Sequence, residues 1–173
     1  MVYQKATTTF LSYLKANPGI RSQVRAAHDQ TLLYAGEFFK PMWREIAEFK
    51  RQHPEYRSKE TLPEVLARIK VPGAPQPNLL AYVQDVERTV PWKPDGFALW
   101  RVVSGLFASN ATGAVSFQIG SGITKSDKVF AATEVSVLAR NPNLDATTRE
   151  LVAYYQECIK NKQTVINAGF ISG

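Results

Sequence analysis

The chain holds a single cysteine, Cys158, and only two histidines, His28 and His53. One thiol excludes an intrachain disulfide framework and a cysteine-built zinc site. Two histidines so far apart exclude a helical zinc motif of the HExxH kind. No block of like charge is long, and no segment is of low complexity, so the composition is not that of a disordered chain. The opening MVYQKATTTF lacks the apolar core of a secretory signal and the arginine-rich character of a cleaved transit peptide. The Gly120-Ser121-Gly122 triplet lacks the GxxxxGK[ST] pattern of a phosphate loop and a convincing strand before it. His28 beside Asp29 reads as a surface histidine, and Cys158 as a small apolar residue on a helix face. No catalytic residue, metal ligand or cofactor-binding residue is therefore assigned, and no cofactor or small-molecule substrate is expected.

What is present is an ordinary folding composition. Of 173 residues, 45% are hydrophobic and 21% charged, a balance that can bury a core. The net charge is +6. Its cations are dispersed among acids, which reads as a solvated surface and makes nucleic acid an unlikely partner.

Helical spacing dominates. Residues 3–16 carry apolar side chains three and four apart, and Asn17-Pro18-Gly19 breaks the pattern. From Ile20 to about Gln52 a long amphipathic helix is expected, with Pro41 kinking or dividing it and Pro54 closing it. Thr61 and Glu64 have the spacing of a capping box around a short helix. VPGAPQPN, residues 71–78, reads as a stiff extended linker. Asn78 can cap a helix to about Val90, and VPWKPDG makes a second break. Later helices are expected from Ser126 to the Asn141-Pro142-Asn143 break, and from about Asp145 to Asn167.

Residues 106–125, LFASNATGAVSFQIGSGITK, admit three readings. Val115, Phe117 and Ile119 alternate with Ser116 and Gln118 as in a strand, but no strand of equal quality lies nearby to pair with it. A buried helix of a bundle is the second reading. A membrane helix is the third, and it is adopted here. None of the 23 residues from Val102 to Thr124 is charged or histidine, and a bilayer needs about 20 predominantly apolar residues. Trp100 before the run, and Lys125 and Lys128 after it, suit the membrane interface. Gly105, Ser109, Thr112 or Gly113, Ser116 and Gly120 recur three or four apart, giving a small-residue face on which partner helices could pack.

This stretch resembles the membrane helix of subunit g of the mitochondrial ATP synthase. Gly105, Phe107, Ala108, Phe117, Gly120 and Lys125 stand in similar places. Ser121 replaces the family's glutamate and Thr124 its second glycine. The resemblance covers about Val102 to Lys125, and the tail from Ser126 is longer than the family's. It implies a non-catalytic subunit of the mitochondrial inner membrane, held among other membrane subunits and lipids. Such a subunit pairs with a subunit e-like partner and helps to dimerise the complex.

The expected fold is all-α. Residues 1–70 form an amphipathic helical region, 71–95 a proline-rich linker and short helix, 96–125 the membrane helix and 126–173 a helical tail. The expected function is structural support of ATP synthesis in the membrane region, without catalysis. The alternative is a soluble all-α binding or assembly protein, capsid- or adaptor-like, with a basic surface.

Overall fold

A computed structural model describes residues 2–35, 39–119, 129 and 133–161. Helix α1 (Lys5–Ala16) buries Thr7, Phe10 and Leu14, the three- and four-residue spacing of one helical face. Asn17 closes it, its N–H donating to the Leu14 carbonyl at 3.1 Å and its side-chain amide to the Tyr13 carbonyl at 2.7 Å. Pro18 then opens α2 (Pro18–Gln23), where a missing N–H costs nothing.

The long helix expected from Ile20 to Gln52 does not form. That stretch is α2, strand β1 (Thr31–Ala35) and α3 (Phe39–Gln52). Its apolar periodicity has a gap between Ala27 and Ala35, and TLLYA fills the gap as a strand. The chain enters the strand through Asp29, whose φ of 66° is a left-handed conformation that aspartate adopts more readily than most residues. Pro41 falls in the first turn of α3, where backbone N–H groups have no helical partner, so it does not divide the helix.

Two caps form as their residues imply. Before α4 (Leu62–Ala67), the Thr61 N–H donates to Glu64 Oε1 at 3.0 Å. Before α5 (Leu79–Glu87), Asn78 Oδ1 accepts from the Ala81 N–H at 2.8 Å. Residues 71–78 touch the core at two points, where Val71 is buried and Ala74 packs against it, and the Tyr13 hydroxyl donates to the Pro72 carbonyl at 2.6 Å. Phe10 meets Tyr82 edge-on at 4.9 Å, joining α1 to α5.

Helix α6 (Phe97–Ser109) sends Leu99, Val103 and Phe107, four residues apart, fully into the core. It stops at Asn110, whose N–H donates to the Leu106 carbonyl at 2.9 Å. After a turn at Gly113, strand β2 (Val115–Ile119) pairs in parallel with β1, Leu33 opposite Phe117. Helix α7 (Val135–Arg140) follows, and Asp145 caps α8 (Ala146–Lys160). Tyr155 of α8 closes over Phe117, ring centroids 5.1 Å apart.

The membrane helix is thereby corrected. Among the described residues no helix is long and apolar enough to cross a membrane. As far as Ile119, where the described residues stop, the uncharged run is instead the last turns of α6, a turn and a strand. It is uncharged because it is buried in protein: Phe107, Ala108, Ala111 and Phe117 are all fully covered. Nor is the fold all-α: among the described residues the chain is mostly helical, with a two-stranded parallel sheet. Strand β2 is covered on both faces, since Ser116 and Gln118 are buried as well as Val115 and Phe117. The residues that resemble subunit g fall on different elements, with Gly105, Phe107 and Ala108 in α6 and Phe117 in β2.

The small residues therefore share no helical face. Gly105 faces Thr133, Ser109 is exposed with its hydroxyl on the Leu106 carbonyl, Thr112 and Gly113 lie in the turn, and Ser116 is buried in β2. Trp100 is tied to α5, its indole N–H donating to Glu87 Oε2 at 2.6 Å. Gly120, Lys125 and Lys128, the expected helix from Ser126 to residue 132 apart from residue 129, and the end of the last helix beyond Asn161 lie outside the described residues.

Two glycines now separate in meaning. Among the described residues a Cβ at Gly105 would meet only Thr133 Cγ2, at an ordinary 3.5 Å. At Gly113, φ is +74° and a Cβ would overlap the Asp29 carboxylate and come within 2.7 Å of His28 Cε1. Gly105→Ala should be neutral or stabilise by about 0.5–1 kcal/mol, the usual helical gain. Gly113→Ala should cost roughly 2–4 kcal/mol through backbone strain and loss of the Asp29 contact. Thermal denaturation of the two variants, read by circular dichroism, checks both signs. Equal losses would restore a common helical face.

Candidate functional site

Three places gather polar or exposed chemistry. The first lies at the amino end of the sheet. There Asp29 Oδ1 accepts from the Ala114 N–H at 2.7 Å, and the Asp29 N–H donates to the Thr112 carbonyl at 3.0 Å. On the other side of Gly113, its N–H donates to the Asn143 carbonyl at 2.8 Å and its carbonyl accepts from the Asp145 N–H at 3.0 Å. Thr148 Oγ1 takes the Val115 N–H at 3.1 Å. Three remote segments are thus clasped together. The Thr148 hydroxyl and N–H, with His28 nearby, hold the Asp145 carboxyl below its usual range.

Within this knot His28 Nδ1 lies 3.0 Å from Thr112 Oγ1, and His28 Nε2 lies 3.5 Å from Asp29 Oδ1. Hydroxyl, imidazole and carboxylate stand in the order of a catalytic triad. The surroundings do not suit that chemistry. The imidazole is 70% exposed, so it is not sheltered from water. The 3.5 Å contact is too long for an orienting hydrogen bond, and Asp29 Oδ1 already serves Ala114. The Gly113 and Ala114 N–H groups, the nearest candidates for an oxyanion hole, are both bonded elsewhere. His28 here positions a turn.

Beside the knot opens a cleft of about 570 Å³, walled by the end of α2, the residues flanking α4 and the turn after α6. Arg68 braces its wall, pairing with Glu60 and donating from Nη2 to the Arg25 carbonyl at 3.0 Å. Asn110 braces the other, its amide donating to the Arg21 and Val24 carbonyls at 3.0 and 3.1 Å.

The second place is the start of α6. Trp92 is 48% exposed, the largest side chain so displayed among the described residues. Its ring lies over Gly96, where a Cβ would come within 2.8 Å of it, and against Phe97 at 5.9 Å. Lys93 Nζ and Arg101 Cζ stand 5.5 and 5.6 Å from the same Phe97 ring. Val102 adds apolar surface. Neighbouring acids are already engaged: Asp95 accepts from the Gln4 N–H, Glu87 from Trp100, and Asp85 pairs with Arg88. Lys93 and Arg101 have no carboxylate in ion-pair range among the described residues.

The third place is interior. Glu134, at the start of α7, is buried, and burial pushes its carboxyl up to about 8. Burial, Glu134 and Glu64 together raise the Tyr34 phenol. Glu64 is neutralised by Lys50 Nζ at 2.8 Å. Nearby, the Gln118 amide donates to the Tyr56 hydroxyl at 2.8 Å.

Of the residues singled out in sequence, Thr112 and Gly113 lie at the knot, while Trp100, Gly105, Ser109 and Ser116, the others that are described, are scattered over α6 and β2. Arg25, Arg68, Trp92, Lys93 and Arg101 were missed. For Trp92 a signal existed: a tryptophan between prolines in VPWKPDG has no helical face to bury it. Among the described residues, no group of acids, histidines or cysteine could hold a metal ion. The Gly120–Gly122 triplet does follow a strand, β2, but lies outside the described residues. No protein-family model, curated protein or solved structure matches the chain.

Glu134 carries a pH signature. The unfolded carboxyl loses its proton near 4.5, the folded one near 8. Between these values the folded state holds the extra proton, so stability must fall as pH rises and then level off. The fall should amount to roughly 3–5 kcal/mol. In Glu134→Gln it should vanish, which denaturant midpoints from pH 4.5 to 9 will check.

Proposed function

We propose that this chain is a non-catalytic binding or assembly protein that docks an acidic segment of a partner protein at the Trp92 platform. The subunit role in a membrane complex needed a span that the described residues do not form. The alternative with a basic surface has the better support. One observation carries it: an indole held in place by Gly96 and Phe97, exposed, and flanked by Lys93 and Arg101 without acid partners.

Interfaces draw most of their energy from a few anchors, with tryptophan and arginine the commonest. An aromatic ring already fixed before binding loses little entropy on binding. Uncompensated cations beside it favour carboxylates on the partner and steer the encounter. The fitting occupant is a short peptide stretch with one apolar side chain for Trp92 and two or more acids for Lys93 and Arg101.

Titration of the full chain with an Asp/Glu-rich peptide containing a single leucine should shift tryptophan emission and give saturable binding. Trp92→Ala should weaken it roughly tenfold or more, as loss of an anchor does. Lys93→Glu should weaken it and favour a peptide with lysines in place of the acids. Equal binding of the lysine peptide to the unaltered chain would overturn the reading. So would binding of an oligothymidylate in preference to the peptide, which would make the platform a base-stacking surface.

A further inference from the structure

The Trp92 platform leaves the cleft at the amino end of the sheet without a task, and its chemistry differs. We propose that this cleft binds the phosphate group of a small phosphorylated molecule, with Arg25 and Arg68 as the principal grips and Thr112 and His28 beside them.

The charge balance is the first argument. Two arginines, Arg25 and Arg68, line the cleft against one acidic residue, Glu60. Glu60 is engaged with Arg68, while Arg25 has no carboxylate in ion-pair range among the described residues. The cleft therefore carries an excess of positive charge before any ligand arrives. A planar guanidinium with paired N–H donors matches phosphate oxygens better than a lysine does.

The second argument is that the walls are built rather than incidental. Arg68 does not wave in solvent: one nitrogen pairs with Glu60 and another holds the Arg25 carbonyl at 3.0 Å. This contact fixes the backbone from which the Arg25 side chain projects. Asn110 pins the same segment from the other side through the Arg21 and Val24 carbonyls. His28 is fixed by Thr112, Nδ1 to Oγ1 at 3.0 Å, and that hydroxyl also lines the cleft. A site whose cations are held by other contacts loses less entropy when a ligand is gripped.

Size decides what carries the phosphate. At about 570 Å³ the cleft is far larger than an inorganic phosphate and falls in the range of small-molecule sites. Ala26, Ala27 and Ile69 supply a modest apolar wall for the rest of the molecule, and Gln23 an amide at the rim. A phosphorylated sugar or mononucleotide fits both the charge and the volume.

Calorimetry on the full chain at low salt, with adenosine monophosphate, ribose 5-phosphate, adenosine and citrate as probes, tests this. Both phosphates should bind, and adenosine should not. Arg25 is exposed, so Arg25→Gln should fold normally and weaken phosphate binding roughly ten- to hundredfold, the worth of a charge-assisted hydrogen bond. Arg68→Lys keeps the charge but not the fork, and should weaken it less. Peptide binding at Trp92 should be untouched in Arg25→Gln, which separates this site from the platform. The proposal fails if neither phosphate binds at millimolar concentration, if Arg25→Gln binds them as the unaltered chain does, or if citrate binds as tightly as they do.

Discussion

The contact between the Asp29 carboxylate and the backbone at Gly113–Ala114 is the constraint on which the rest of this fold depends. It joins the entry to β1 with the entry to β2 and fixes where the parallel pair begins. The same glycine, through its own N–H and carbonyl, fixes the segment that leads into α8. Both sides of the contact are conformationally unusual, since Asp29 and Gly113 each have positive φ. The strain is tolerable because the alternative is worse: the half-buried Ala114 N–H at the strand entry would lose its acceptor. The basic cleft is a by-product of this closure, since the turn after α6 is both the far half of the clasp and the cleft's wall.

The sequence was legible where local rules act within a few residues. Asn17-Pro18-Gly19, the Thr61–Glu64 pair, Asn78 and Asp145 mark helix ends, and the structure uses each of them so. It was illegible where a segment's state is set by a partner far along the chain. Val115 to Ile119 alternates like a strand, yet the strand that completes it lies at residues 31–35, inside a stretch read as one long helix. The strand at 115–119 looked implausible alone, the one at 31–35 was read as helix, and each is explained by the other. The error at α6 has a different cause. An apolar, uncharged run says only that water is excluded, and protein excludes it as well as lipid does. The Asn110–Gly113 interruption was the signal that the run is not one helix.

The candidate surfaces were still less visible. Arg25 and Arg68 are remote in sequence, and only the fold brings them to one cleft, where Arg68 reaches the Arg25 carbonyl. Composition recorded a basic protein with mixed charges. It could not show that acids near Lys93 and Arg101 are already engaged by a backbone amide, an indole and an arginine. Function here is read from which charges remain unanswered after folding, and that is a property of geometry.

The parallel pairing has a consequence for how the chain is made. Residues 31–35 leave the ribosome long before residues 115–119, and everything from α3 to α6 must be synthesised between them. During that interval β1 has an open edge carrying Leu32 and Leu33, both of which are buried in the finished fold. Closing so distant a pair is slow, because the loop entropy is lost before the contact repays it. The helices between the strands shorten that loop as they form. Nascent chains that stop before Val115 would present an unpaired apolar strand, the kind of edge that recruits other chains.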